Sequence, residues 1–223
     1  MAERMRIAGS LWSVPPAAQA GEAHRLRDAG LEVLHWDTTD GLFAREGGFT
    51  VETAAAMTAE TGMRAEAHLM VTDPLARLDA WTGFCELVIV HAEAEGWRAA
   101  LDRIERRGSR PALALSPGTP ATFVPSRELA VLTMSVVPGQ AGATFDESAL
   151  ATVRSLREAA LGSPRLLGLD GGVTREIGRR AVAVGADWLV SGTDLFGSSS
   201  PRAWLSDVRG AQAPSRGCSC PKP

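Results

Sequence analysis

Eight short apolar runs punctuate this chain of 223 residues, each followed by a polar, glycine or proline break and then a stretch of helical character. The runs are 6–11, 33–37, 65–70, 87–91, 112–115, 131–136, 166–170 and 188–191. Near-continuous apolar strands alternating with amphipathic helices specify a parallel sheet covered on both faces. Eight such units in about 200 residues predict one closed (β/α)8 TIM barrel. The competing arrangement is an open doubly wound sheet. No G-x-G-x-x-G follows the first run, and eight regular units favour closure. The barrel is expected over 1–210, as a single α/β domain. The remainder, 211–223, carries Pro, Ser and Gly without periodicity and reads as a disordered tail.

Local signals agree with the alternation. Asp73-Pro74 places a capping carboxylate before a proline at the first helical position. Asp146 and Thr174 precede two further expected helices. Gly30, Gly108 and Gly185 stand where helices should stop. Ala29-Gly30-Leu31 and Val184-Gly185-Ala186 read as one helix-to-strand joint used twice.

Composition enters through what it excludes. Of 23 Lys+Arg, the only lysine is the penultimate residue Lys222, and the chain has no tyrosine and no asparagine. Schiff-base catalysis needs a buried lysine amine, and a P-loop needs G-K-[ST]. Both are excluded, as is a tyrosine general acid. A net charge of −3 argues against a nucleic-acid surface. No apolar run approaches the roughly 18 residues of a membrane span, and the first ten residues do not read as a secretory leader. Three cysteines, one of them (Cys85) in an apolar context, fit a reducing, cytoplasmic setting. Cys218-Ser219-Cys220 lacks further ligands nearby and reads as an ordinary tail feature.

In such a barrel the active site lies at the C-terminal ends of the strands. The polar residues expected there are Ser10, His35, Asp37, His68, His91, Glu93 and Asp170. Three of the four histidines stand at strand ends, whereas His24 falls in a helical stretch. His35-x-Asp37 has period two, so both side chains share one face, and His68-x-Met70 repeats the spacing on the next strand. Two imidazoles and two carboxylates from strands two, three and seven would make an N2O2 set. It suits one divalent Zn, Fe, Mn or Co ion without choosing between them. Glycines follow the last three strands, in 137–142, 170–172 and 191–193. Backbone N–H groups of such late loops hold phosphate without needing lysine.

The motifs Ile7-Ala8-Gly9-Ser10-Leu11-Trp12-Ser13, His35-Trp36-Asp37-Thr38-Thr39-Asp40-Gly41 and Ala67-His68-Leu69-Met70 occur in order. Val90-His91-Ala92-Glu93-Ala94, Leu115-Ser116-Pro117-Gly118, Leu169-Asp170-Gly171-Gly172-Val173 and Val190-Ser191-Gly192-Thr193 follow. Together they resemble the ribulose-phosphate 3-epimerases from about residue 6 to 210. The resemblance implies His35, Asp37, His68 and Asp170 as metal ligands. It implies Asp37 and Asp170 as the two acid/base catalysts, acting through an enediolate that the metal stabilises. Ser10 and His68 would contact the substrate. Gly139, Gln140, Ala141, Gly142, Gly171, Gly172, Gly192 and Thr193 would hold its phosphate. Met70 and Met134 match family methionines near the reacting carbons. The implied substrate is D-ribulose 5-phosphate or D-xylulose 5-phosphate, in pentose phosphate metabolism, and the implied assembly a dimer or hexamer.

This chain departs from the family pattern at three places. Thr39 replaces a methionine, Val137 an asparagine, and the loop Gly139–Ala143 a Gly-Phe-Gly-Gly-Gln run. The same 3-epimerisation on a hexulose or heptulose phosphate is therefore a second expectation. A non-catalytic phosphosugar-binding barrel is a third, against which the two intact aspartates speak. Related barrel decarboxylases need an Asp-Lys pairing, and no lysine is available for it.

Overall fold

The computed structural model describes residues 5–125, 129–140, 144–159 and 166–211. The strands are β1 (Arg6–Ser10), β2 (Val33–Thr39), β3 (Arg64–Met70), β4 (Leu87–His91), β5 (Arg110–Leu115), β6 (Ala130–Met134), β7 (Leu167–Asp170) and β8 (Trp188–Ser191). They form a closed barrel in sequence order, every neighbouring pair parallel, with β8 returning to β1. This is the expected (β/α)8 barrel. The α-helices are α1 (Gln19–Ala29), α2 (Val51–Thr61), α3 (Leu78–Trp81), α4 (Trp97–Arg106), α5 (Ser148–Ala159), α6 (Arg175–Ala183), α7 (Thr193–Gly197) and α8 (Pro201–Gly210). Among the described residues, no helix is long and apolar enough to cross a membrane. The tail expected at 211–223 lies outside the described residues except for Ala211.

The helix boundaries have local causes. Thr174 Oγ1 accepts from Ile177 N at 3.2 Å and opens α6. Asp146 Oδ1 accepts from Ser148 N at 2.9 Å ahead of α5. The joint at Gly30 recurs at Gly185, with φ of 101° and 108°. In both, the following amide returns to the carbonyl five residues back, Leu31 N to Leu26 O and Ala186 N to Ala181 O, each at 2.9 Å. That is a Schellman closure, which needs a left-handed residue at its centre.

Two connections are less helical than expected. Asp73 does cap, accepting from Leu75 N at 3.0 Å, but it opens a 3-10 turn, Pro74–Ala76, before the four-residue α3. Between β5 and β6 the described residues hold only the 3-10 turn Ala121–Phe123. Pro117, Pro120 and Pro125 remove three amide donors from that segment, so a helical ladder cannot propagate.

Alternate residues of each strand point to opposite sides. One set packs under the helices as the larger apolar cluster, including Leu34, Trp36, Leu69, Val90 and Leu113. The other fills the barrel interior with Ala8, Ile89, Ala112, Ala114, Ala130, Leu132 and Trp188. Small and large side chains share that space. Gly168 is registered against Trp188, and a Cβ there would lie 2.4 Å from Trp188 Cε3 and 2.7 Å from Leu132 Cδ1. Gly168→Ala is therefore expected to destabilise the barrel by about 1–3 kcal/mol through overpacking. Urea unfolding checks this, and an unchanged midpoint would show that the indole has room to retreat.

Candidate active site

The barrel's inward faces carry the polar residues. From β2 come His35 and Asp37, from β3 His68, and from β7 Asp170. Asp37 is the register partner of His68. His35 Nε2 lies 3.3 Å from Asp37 Oδ1 and 3.3 Å from His68 Nδ1. His68 Nδ1 lies 3.2 Å from Asp37 Oδ1. Asp170 Oδ2 is 3.6 Å from His68 Nδ1 and 3.9 Å from His35 Nε2. One ligand atom from each of the four lies within 4.8 Å of all the others. Tetrahedral bonds of about 2.0–2.2 Å separate donor atoms by about 3.3–3.6 Å. The cluster therefore has the spacing and the donor set of a divalent metal site.

Each imidazole is braced from behind. His35 Nδ1 stands 2.7 Å from Glu66 Oε1. His68 Nε2 stands 2.9 Å from His91 Nε2, and His91 Nδ1 stands 3.2 Å from Glu93 Oε2. Burial, helped by His68, lowers His91 to about 4 against the pull of Glu93. His91 is thus neutral at pH 7 with one ring N–H. Directed at Glu93, that hydrogen leaves Nε2 to accept from His68, whose Nδ1 is then free to face a cation. Phe43, from the loop after β2, covers His91 with ring centroids 4.8 Å apart. Asp40 anchors that loop, accepting from Leu42 N at 2.9 Å, Phe43 N at 2.8 Å and Thr72 N at 2.6 Å.

The carboxylates differ electrostatically. Burial pushes Asp37 up, but His35 and His68 outweigh it and hold the group well below the usual carboxylate range. At Asp170, burial and the charge of Asp37 prevail over the two imidazoles, and the group is raised. Each has one oxygen outside the cluster with a donor. Ser10 Oγ donates to Asp37 Oδ2 at 2.6 Å, and Gly171 N donates to Asp170 Oδ1 at 2.6 Å.

A cavity of about 470 Å³ opens above this floor. Ser10, Asp37 and Asp170 line it together with Gly139, Gln140, Gly171, Gly172, Gly192 and Thr193. Gly171 has φ of 96°, and a Cβ there would lie 2.7 Å from Val136 Cγ2, so only glycine fits. Met70 and Met134 also face the cavity. Ala141 and Gly142 lie outside the described residues.

A family model described as the ribulose-phosphate 3 epimerase family matches residues 6–196. The chain belongs to this epimerase family. The cytoplasmic isoform of ribulose-phosphate 3-epimerase from Oryza sativa subsp. japonica is 31% identical over 92% of this chain and 92% of its own length. The ribulose-phosphate 3-epimerase of Bacillus subtilis is 28% identical over 93% of this chain and 100% of its own. By family the chain is an isomerase, an epimerase acting on carbohydrates. The fold extends further. The crystal structure of 3-hexulose-6-phosphate synthase from Salmonella typhimurium superimposes with a TM-score of 0.66 at 12% identity, covering 92% of this chain and 97% of that one. Orotidine 5'-phosphate decarboxylase from Pyrococcus horikoshii does so at 0.62 and 16%, over 91% and 97%. These likenesses concern the barrel alone.

Within the epimerase frame, several expectations change. His68 is fully buried and absent from the cavity lining, with both ring nitrogens facing protein groups. The expected substrate contact therefore finds no exposed edge, whereas the place in the cluster remains. Thr39 sits at the mouth end of β2, but its hydroxyl donates toward the loop carbonyls of Arg45 and Gly47, at 2.9 and 3.1 Å. It staples a loop and is not in the cavity lining. Val137 is 55% exposed, and it too is outside that lining. Of the three departures, only the 139–143 loop reaches the cavity, through Gly139 and Gln140. Glu66 was not among the expected site residues. Its signal was the period-two run Glu66-x-His68-x-Met70, which places it on the same face two residues below His68.

Proposed function

We propose that this chain is a metal-dependent ketose-phosphate 3-epimerase whose substrate pair is D-ribulose 5-phosphate and D-xylulose 5-phosphate. The observation that carries the reading is the pair Asp37 and Asp170. They reach one cavity from β2 and β7, across the barrel mouth, and share the cluster with His35 and His68. Epimerisation beside a ketone needs a base on one face of C3 and an acid on the other. One carboxylate takes the C3 proton, and the C–H electron pair passes into the C2–C3 bond and on to the C2 oxygen. The opposite carboxylate then delivers a proton to the other face as the ketone re-forms. Opposite pKa shifts at Asp37 and Asp170 suit this division, one group ready as base and the other able to hold a proton. A divalent Zn, Fe, Mn or Co ion held by His35, Asp37, His68 and Asp170 would supply the electrophile that stabilises the developing oxyanion.

The remaining residues fit a sugar phosphate. Ser10 steadies the Asp37 oxygen outside the cluster. Met70, Met134 and Val136 give the cavity an apolar wall that excludes water from the reacting carbons. No lysine or arginine is among the described residues of the lining. The phosphate would rest on the late loops that carry Gly139, Gln140, Gly171, Gly172, Gly192 and Thr193, on backbone N–H groups other than those of Gly171 and Gln140, which already donate to Asp170 Oδ1 and Val137 O. A cytoplasmic location and a homo-oligomeric assembly belong to the same reading, and the rice relative carries that location in its name.

A hexulose or heptulose phosphate is the second reading, supported by Gln140 at the cavity wall. Exchange of the C3 proton with solvent deuterium distinguishes the two, measured on ribulose 5-phosphate, allulose and fructose 6-phosphates and sedoheptulose 7-phosphate. Ribulose 5-phosphate is expected to lead in kcat/KM by about tenfold or more, the scale on which a pocket discriminates one extra carbon unit. A lead by a longer sugar would assign the chain to that substrate, and exchange with none would remove the catalytic reading.

A further inference from the structure

We infer that Glu66 is a positioning residue that sets which nitrogen of His35 faces the metal cluster. The inference rests on the four-ligand reading above and extends it to a group buried beneath it.

Glu66 and His35 are both fully buried, on inward positions of adjacent strands. Three hydrogen-bonding nitrogens and one further ion-paired nitrogen surround the Glu66 carboxylate. His35 Nδ1 is 2.7 Å and Trp188 Nε1 3.1 Å from Oε1. Arg6 Nε is 2.7 Å and Arg6 Nη2 2.6 Å from Oε2. Indole and guanidinium nitrogens can only donate. With Arg6 on one oxygen and Trp188 on the other, Glu66 is an ionised acceptor and offers His35 no hydrogen. His35 Nδ1 must therefore carry a proton and donate it. When a metal displaces the second ring proton, the lone pair is then confined to Nε2, the nitrogen that lies among Asp37, His68 and Asp170. A carboxylate behind a metal-binding imidazole fixes its tautomer and ring orientation in this way. The two histidines also face the cluster through opposite nitrogens, Nε2 of His35 and Nδ1 of His68.

The brace is itself held by the barrel's packing. Trp188 reaches Glu66 across the interior because its register partner is Gly168, where any side chain would collide with the indole. Arg6 enters from the opposite end of the barrel, where Glu86 is its other partner. A purely structural Arg6–Glu66 ion pair would place the same charges together. It would not require His35 to hold one tautomer.

The test uses zinc as the probe. In the zinc-loaded full chain, long-range 1H–15N correlation of the histidine rings is expected to show His35 protonated at Nδ1. Glu66→Gln is expected to weaken zinc binding by about 10–100-fold in competition with a chromophoric chelator. Glu86→Gln, which also removes a partner of Arg6 but does not touch His35, should leave zinc affinity within about twofold of the parent. A bare Nδ1 on His35 overturns the inference, and so does equal zinc affinity in the parent and Glu66→Gln. Should Glu66→Gln fail to fold, the ring assignment on the parent decides alone. A parent that takes up no zinc at a single site overturns the four-ligand reading itself, a result separate from failure at Glu66.

Discussion

Replacing Asp37 or Asp170 by asparagine is expected to lower interconversion of the 3-epimers by at least about 10³-fold, within the range that positioned acid–base groups contribute. The amide keeps the shape and the hydrogen bonds from Ser10 Oγ or Gly171 N, but it cannot take a proton. Each variant should keep its fold, because both residues sit at the cavity floor and outside the apolar clusters. The two variants should differ in detail. With one carboxylate left, exchange with deuterium is confined to the epimer whose C3–H faces the survivor. Proton exchange on each pure epimer reads this directly. Interconversion within about tenfold of the parent, in either variant, would end the two-carboxylate assignment.

Removal of the metal is the second large effect. Dialysis against a strong chelator is expected to abolish turnover, and one equivalent of zinc, ferrous iron, manganese or cobalt should restore it. His35→Ala and His68→Ala should reproduce the loss and lower metal content together. Burial opposes a proton on His35, but Asp37 and Glu66 prevail and raise its pKa well above the ordinary imidazole value. A bound metal must displace that proton, so apparent affinity falls as the pH falls. Metal retained after dialysis against metal-free buffer should therefore fall toward acid pH, as metal analysis across a pH series would show. Unchanged turnover in a fully stripped sample would contradict a metal-dependent reaction.

What could be read along the chain was whatever has a local cause. Strand ends were legible where an apolar run stops at a polar or glycine break, as at Asp170-Gly171. The caps at Asp146 and Thr174 and the joints at Gly30 and Gly185 use bonds spanning at most five residues. Among the described residues between β5 and β6, the 3-10 turn in place of a helix was also legible, in three prolines, but regular alternation argued the other way. Directions were not legible. Thr39 has the same period-two spacing as His35 and Asp37, yet its hydroxyl turns to the carbonyls of Arg45 and Gly47. Val137 stands beside the cavity loop in sequence and faces solvent in space.

The sequence by itself determined the eight successive strands of an α/β barrel, the strands that carry His35, Asp37, His68 and Asp170, and the exclusion of lysine chemistry. These depend on periodicity and residue type, which act over a few neighbours. Only the closed barrel decided which atoms meet. Closure brings β7 opposite β2, so Asp170 Oδ2 comes within 3.9 Å of His35 Nε2, 135 positions away along the chain. It also places Trp188 and Arg6 on Glu66, turning a mid-strand acid into the brace of an imidazole. A single strand has two faces and no means of marking one as interior. The barrel marks it by leaving no solvent there, so a buried charge must find its partners among residues distant in sequence.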